Sequence, residues 1–288
     1  MPINKTKLTA GDKKKILASQ SMTPKGRKYV AGVITAPLKA YKDSFSLVEE
    51  VLMVDKLGKG EIPQYEIEDI EHAVYALAEN GQVLTWSEHQ DSIIVPTAEI
   101  ATRDMVKRSQ LRARKYDVAS RMKKKTKSEI AYTENRKMFS LLEQVAGHTI
   151  DASAGFTLET ISQGISEVEE NGNVLAGAIL MNPANFKVIR DAMLNAKVFD
   201  TNINRELFST GRLGTFLNAK VLVSSAFPKD NVLVVAEPEE VGLAVWTQTL
   251  EVLPVDDTNT LKIGYVAYEE VGFYVHGADN VCKIKLTK

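Results

Sequence analysis

The sequence is poor in cysteine and has no long hydrophobic run. Its single cysteine, Cys282, excludes a disulfide within the chain and favours a reducing place of synthesis. Because no run of 18 apolar residues occurs and the N-terminus has no apolar export segment, we expect neither a membrane span nor secretion. Cys282 alternates with Ile284 in a strand-like segment, which predicts a core position for its thiol.

Sequence motifs that mark common enzymes are also missing. The segment at residues 58–60 (GKG) lacks the spacing of a phosphate-binding loop, and there is no GxGxxG after a strand and no GxSxG. The four histidines are scattered, without the spacing of metal ligands. We therefore predict a protein that is not an enzyme, with no catalytic residue, no cofactor and no metal site.

Charge is abundant and strongly segregated along the chain, although the net charge is only −1. Residues 49–104 hold thirteen acids and three bases, a net of −10, and residues 107–127 hold ten bases and one acid, a net of +9. Residues 1–28 hold one acid, Asp12, and eight bases, a net of +7, with too few large apolar residues for a core of their own. These bases are Lys5, Lys7, Lys13, Lys14, Lys15, Lys25, Arg27 and Lys28.

The longest periodic segment is residues 111–145, which predicts one uninterrupted helix. Apolar residues recur there at spacings of three, four, seven or eight, no Pro or Gly intervenes, and Gly147 follows as a stop. At 1.5 Å per residue this helix would be roughly 50 Å long, too long to be enclosed by one core. Its basic face carries Arg112, Arg114, Lys115, Arg121, Lys123, Lys124, Lys125 and Lys127.

The segments before and after this helix differ in their pattern of apolar and polar residues. Residues 44–57 predict a short helix or strand, and residues 58–102 an extended two-stranded excursion with a turn at Asn80-Gly81. After Gly147 the pattern is compact α/β. It includes a helix over 157–171 capped by Thr157, and a helix over 184–194 after Pro183. Strands are predicted at 178–181, 220–224, 232–236, 250–253, 261–268, 271–275 and 281–286.

Taken in order, these segments resemble the major capsid proteins of tailed bacteriophages, which have the Hong Kong 97 fold. After the basic N-terminus, the resemblance rests on residues 94–100 (IVPTAEI), 112–118 (RARKYDV), 156–161 (FTLETI), 178–186 (AILMNPANF), 213–225 (LGTFLNAKVLVSS), 227–230 (FPKD) and 232–235 (VLVV).

The resemblance implies an α+β fold in four parts. They are an N-arm over 1–43, an extended β-hairpin loop over 58–104, a peripheral domain with the long spine helix over 44–57, 105–149 and 251–288, and an axial α/β domain over 150–250.

The resemblance also implies partners. The chain would assemble with itself into hexamers and pentamers of an icosahedral shell around double-stranded DNA, in the virion, after assembly in the host cytoplasm. Portal, scaffold and cement proteins are further partners of such shells, and DNA would be contacted without sequence specificity. Contacts with a neighbouring subunit are expected from the loop residues Glu61, Ile62, Tyr65, Glu66, Ile67, Glu68, Asp69, Tyr75 and Trp86.

Two features depart from parts of that family. Some members join subunits by a Lys–Asn isopeptide bond from the extended loop, but residues 61–106 contain no lysine, so this bond is not expected. Some members begin with a helical scaffolding segment that is removed. Since only 57 residues precede the loop, such a segment is not expected here.

Two other functions compete with the phage capsid. An encapsulin-type nanocompartment has the same fold and encloses protein cargo, whereas the basic N-arm and helix favour a nucleic-acid content. A cytosolic α/β enzyme would instead form a small oligomer.

Overall fold

Two β-sheets with helices packed on them form the body of the chain. The computed structural model describes residues 23–43, 45–58, 60–68, 90–109, 118–152, 155–195 and 214–286. Within these ranges the helices are α1 (Pro24–Asp43), α2 (Val118–Val145), α3 (Leu158–Gly172), α4 (Pro183–Asn195) and the short α5 (Pro238–Val241), and a 3-10 turn spans Val48–Glu50. The strands are β1 (Met53–Lys56), β2 (Gln64–Glu68), β3 (Gln90–Ile94), β4 (Thr97–Lys107), β5 (His148–Asp151), β6 (Ala176–Met181), β7 (Thr215–Phe216), β8 (Ala219–Val223), β9 (Asn231–Ala236), β10 (Gly242–Asp257), β11 (Lys262–Val275) and β12 (Val281–Lys285).

A four-stranded sheet has the order β1-β10-β11-β4. Strands β10 and β11 form a long antiparallel hairpin, in which the Asp257 carboxylate accepts hydrogen bonds from Asn259 and Thr260 and closes the turn. β4 runs antiparallel to β11 over its whole length, and β1 runs parallel to β10. The two strands expected at 261–268 and 271–275 are therefore one strand, because Glu269 and Glu270 continue the ladder.

A six-stranded mixed sheet has the order β5-β12-β9-β6-β8-β7. β12 pairs with β9 and β5, so the C-terminal strand belongs to this sheet. Residues 281–285 thus join the sheet that contains β6, β8 and β9, and β10 of the other sheet begins at Gly242, while the division at residue 251 stays a prediction. Cys282 and Ile284 of β12 are fully buried, as their alternation predicts.

Helix α2 is the long helix expected from the periodic segment. It spans 28 residues and ends at Val145, just before Gly147, while residues 111–117 lie outside the described ranges. Ile130, Met138 and Leu142 on its inner face are buried. The ring of Phe139 stacks on Phe227 with centroids 4.8 Å apart, which ties the helix to the segment that precedes β9.

Helix α1 occupies the second half of the residues assigned to the N-arm, 1–43. Its inner face repeats every four residues, with Val30, Ile34 and Leu38 almost fully buried against β10 and α2. This apolar stripe begins at Val30, after the basic segment 1–28 whose composition predicts no core of its own.

Helix α3 begins with a reciprocal pair of hydrogen bonds. The Thr157 side chain accepts from the Thr160 N–H at 3.3 Å, and the Thr160 hydroxyl oxygen accepts from the Thr157 N–H at 3.1 Å. The predicted cap at Thr157 is confirmed.

We expect the Thr157→Ala substitution to lower the free energy of unfolding by about 1 kcal/mol, because it leaves the Thr160 N–H without its side-chain acceptor. Chemical denaturation of the full chain measures this loss. Thr157→Ser is the matched control and keeps most of the stability, since it retains the hydroxyl. Equal stability of the alanine and serine variants would contradict the role of the cap.

Candidate intersubunit surfaces

The β2–β3 ladder forms a two-stranded sheet of its own, with its root next to the four-stranded sheet. Its pairs run from Gln64 opposite Ile94 to Glu68 opposite Gln90. At the root, Val95 donates its backbone N–H to the Pro63 carbonyl at 2.9 Å. The two-stranded excursion expected from the sequence is therefore present, at least where the structure describes it.

Tyr65 anchors this root to its own subunit. Its hydroxyl donates to the Asp55 carboxylate at 2.6 Å, and its ring packs against the small buried cluster of Val95, Leu243 and Val245. Burial, followed by the hydrogen bond to Asp55, raises the pKa of Tyr65. The assignment of Tyr65 to the contact with a neighbour stays a prediction, and the structure adds this contact within the subunit, which strand alternation alone does not reveal.

Ile62 and Ile94 lie on the two sides of the root and are the apolar side chains that it leaves in solvent. They are 68% and 61% exposed. Glu61, beside Ile62, is also exposed, and its carboxylate accepts a hydrogen bond from the Gly58 N–H that closes the turn. An apolar pair with an acidic neighbour has the composition of an interface core with a polar rim.

The other loop residues assigned from the sequence are only partly described. Glu66, Ile67 and Glu68 fall within strand β2, and Asp69, Tyr75 and Trp86 lie outside the described residues.

The N-terminal basic residues divide into two groups within α1. Lys25 and Lys28 are exposed. Arg27 is buried and donates to the Asp256 carboxylate at 2.9 Å, and Arg108 donates to the same group at 2.8 Å. Hydrogen bonds from Arg27 and then Arg108 hold the pKa of Asp256 below its usual value. Arg27 therefore fixes α1 to β10, while its assignment to the basic N-arm stays a prediction.

The remaining basic residues lie either outside the described residues or within helix α2. Lys5, Lys7, Lys13, Lys14 and Lys15, together with Arg112, Arg114 and Lys115, lie outside the described residues. Arg121, Lys123, Lys124, Lys125 and Lys127 fall within helix α2.

The outward face of α1 is a second exposed apolar surface. Tyr29 and Val33 are 62% and 41% exposed, and Ala36 and Pro37 follow one turn later on the same side. Tyr29 and Val33, like Ile62 and Ile94 at the hairpin root, are large apolar side chains that the described part of the subunit leaves exposed.

One charged cluster was missed by the sequence reasoning. The Lys42 ammonium group donates to Glu134 and to Glu269, at 2.9 Å each, and both carboxyl groups are fully buried. The sequence contains a signal for this cluster. Lys42 continues the series Val30, Ile34 and Leu38, and Glu134 lies between Ile130 and Met138. Both are therefore charged residues at core positions of a helical period.

The described ranges hold neither a cluster of metal ligands nor a helix that could span a membrane. No group of His, Cys, Asp and Glu residues there has the arrangement of a metal site. None of the helices there is both long enough and apolar enough to cross a membrane.

Comparison with known proteins rests on structure, since no protein-family model and no curated protein matches this sequence. The virus-like particle protein from Pyrococcus furiosus aligns with a TM-score of 0.60 at 13% identity, over 88% of this chain and 98% of that chain. The capsid protein of cyanophage P-SCSP1u aligns with a TM-score of 0.61 at 14% identity, over 84% of this chain and 88% of that chain. The capsid protein of a native GTA particle aligns with a TM-score of 0.59 at 13% identity, over 85% and 91%. This chain has the Hong Kong 97 capsid fold.

The expected α+β class and the Hong Kong 97 resemblance are thereby confirmed at the level of the fold. At identities of 14% or less, the alignment carries the fold and not individual residue roles. The division into N-arm, loop, peripheral and axial parts stays a prediction.

Proposed function

We propose that this protein is the major capsid protein of a tailed bacteriophage, which assembles into hexamers and pentamers of an icosahedral head around double-stranded DNA. The observation that carries the proposal is structural alignment with three proteins, each from a virus-like particle or a capsid. These alignments cover 84–88% of this chain and 88–98% of the three other chains. The exposed apolar residues at the hairpin root and on α1 support self-association, because they form a surface that only another chain would bury.

The charge pattern supports contact between the acidic loop of one subunit and the basic segments of the next. Residues 49–104 carry −10, whereas residues 1–28 and 107–127 carry +7 and +9. Since single exposed ion pairs stabilise by only about 0–1 kcal/mol, this complementarity directs which surfaces meet and how fast, over an apolar contact that includes Ile62 and Ile94.

Sedimentation of the purified chain tests the shell. We expect capsomers or closed particles in the megadalton range. A stable species of one to four chains under all assembly conditions would contradict a capsid function and favour the enzyme alternative.

The content of the particles distinguishes a phage head from an encapsulin-type nanocompartment. We expect particles from an infected or induced host to protect DNA from nuclease, since the +7 charge of residues 1–28 favours phosphate binding without sequence preference. Particles that contain a defined cargo protein and no nucleic acid would favour the nanocompartment, whose fold is the same. Protease cleavage of the first 22 residues on intact particles would contradict a position of this segment inside the shell.

Mature particles are expected to dissociate into single chains on boiling in detergent. The reason is that residues 61–106, which cover the loop beyond its first three residues, contain no lysine that could form an isopeptide bond with a neighbour. Denaturing gel electrophoresis should show one band near 31.8 kDa. A reproducible ladder of higher bands would demonstrate a covalent link between subunits.

A further inference from the structure

The cluster of Lys42, Glu134 and Glu269 joins three elements that are distant in sequence. Lys42 ends helix α1, Glu134 lies in the middle of the long helix α2, and Glu269 lies in β11. The side chain of Lys42 is 9% exposed and those of the two glutamates are 0% exposed. The Lys42 ammonium also lies 5.1 Å from the centre of the Trp246 ring, so the cation is enclosed on several sides.

The cluster has one cation for two acids. Each carboxyl group uses one oxygen to accept from Lys42, and the other oxygens, Glu134 Oε2 and Glu269 Oε1, are buried with no hydrogen-bond partner among the described residues. A second negative charge at this place would be desolvated and uncompensated, which is costly. The arrangement therefore favours one retained proton on the carboxyl pair, which leaves the cluster neutral.

We propose that this cluster is a proton-controlled latch, which holds helix α1 on the body of the subunit while one carboxyl is protonated and loosens α1 when that proton is lost. The latch would act at the C-terminal end of α1. The N-terminal end is held by the Arg27–Asp256 ion pair, which lies closer to solvent. Loss of the contact between Lys42 and the two glutamates would leave α1 attached by its N-terminal ion pair and by its apolar face.

The direction of the pH dependence follows from the shift of Glu269. Burial, and next the neighbouring Glu134, raise its pKa from 4.5 to about 8, while Lys42 opposes the shift. Burial lowers the pKa of Lys42, but the two carboxylates outweigh this effect and raise it overall, so Lys42 keeps its charge through this range. Because the folded-state pKa of Glu269 is above that of the free side chain, its contribution to stability is complete below pH 4.5 and is lost as the pH rises through 8.

Other charged groups near Lys42 come from three elements. Lys39 of α1, Glu49 of the 3-10 turn and Lys56 of β1 line a cavity of about 20 Å³ beside it. Lys56 pairs with Glu49 at 3.0 Å, and β10 contributes the neutral side chains of Trp246 and Thr249. Glu134 of α2 and Lys42 of α1 are the charged groups that act on Glu269, so the titration belongs to these three residues.

Amide hydrogen exchange of the full chain between pH 6 and pH 9 tests the latch, after correction for the intrinsic pH dependence of exchange. We expect the opening constant of residues 30–42 to rise by about tenfold per pH unit from pH 6 to 8 and to level off above, as linkage to one proton requires. Glu269→Gln removes the titrating group and keeps the volume, so α1 should exchange with a flat pH profile.

Two further variants keep the test decisive. Asp256→Asn weakens the other end of α1 and should speed exchange by the same factor at every pH, because it leaves the cluster intact. Glu134→Gln serves in place of Glu269→Gln if the latter does not fold, and should also flatten the profile. A wild-type α1 whose corrected exchange does not change between pH 6 and 9, or a glutamine variant that keeps the wild-type profile, would overturn the proposal.

Discussion

Reversal of Glu66, Glu68 and Asp69 to lysine is expected to give a folded protein that does not close into shells. The three substitutions change the charge of the loop segment 49–104 from −10 to −4 and place cations where the +7 and +9 segments of a neighbour would approach. Light scattering and negative-stain microscopy measure shell formation, and circular dichroism reports on the fold.

The matched control makes the same change of charge on a different surface. Glu159, Glu169 and Glu170 are exposed acids of helix α3, so their reversal to lysine adds the same six units of charge outside the loop. We expect this control to assemble. Normal assembly of the loop variant, or equal failure of both variants, would show that the loop charges do not direct assembly.

Salt should weaken the same attraction between the oppositely charged segments of neighbouring subunits. When the Debye length falls below about 8 Å, attraction between exposed opposite charges is largely screened, so the assembly rate of the wild type should fall as the salt concentration rises.

The Lys42→Met substitution is expected to lower the free energy of unfolding by about 3–5 kcal/mol, the range found when one partner of a buried ion pair is removed. It leaves Glu134 and Glu269 facing each other in the core without a cation. Denaturant unfolding of the unassembled chain at pH 7 measures the loss.

Two controls separate the loss of the cation from the loss of packing. Lys39→Met removes a half-buried lysine from the same helix and should change stability by only a few tenths of a kcal/mol. The triple variant Lys42→Met, Glu134→Leu and Glu269→Met replaces the whole cluster with apolar groups and should recover most of the stability. A loss below about 1 kcal/mol for Lys42→Met would mean that the cluster is hydrated and does not hold α1.

Local signals explain what the sequence could predict about the fold. The cap at Thr157, the helix start at Pro183 and the alternation around Cys282 depend on neighbours within a few residues, and the structure has all three. Partners distant in sequence leave no such signal. The pairing of β12 with β5 and β9, and the continuity of β11 through Glu269 and Glu270, depend on sheet register.

The candidate surfaces also combine features that the local sequence predicts with features that depend on partners distant in sequence. Exposed apolar residues such as Ile62 could be named from alternation in the loop, but alternation gave the same weight to Tyr65, whose hydroxyl and ring bind within the subunit. Arg27 looked like one base among eight in a basic segment, and only the fold brings Asp256 to it. A charged residue on an otherwise apolar helix face, such as Glu134 on α2, is a sequence signal that indicates a partner distant in sequence.

Negative-stain electron microscopy of the purified full chain tests the capsid function most directly. The proposed function predicts closed, icosahedral particles of uniform size, because a subunit with the Hong Kong 97 capsid fold and exposed apolar surfaces completes its contacts only in a shell. A field of small, uniform oligomers, from protein whose circular dichroism shows the folded α+β structure, would contradict it.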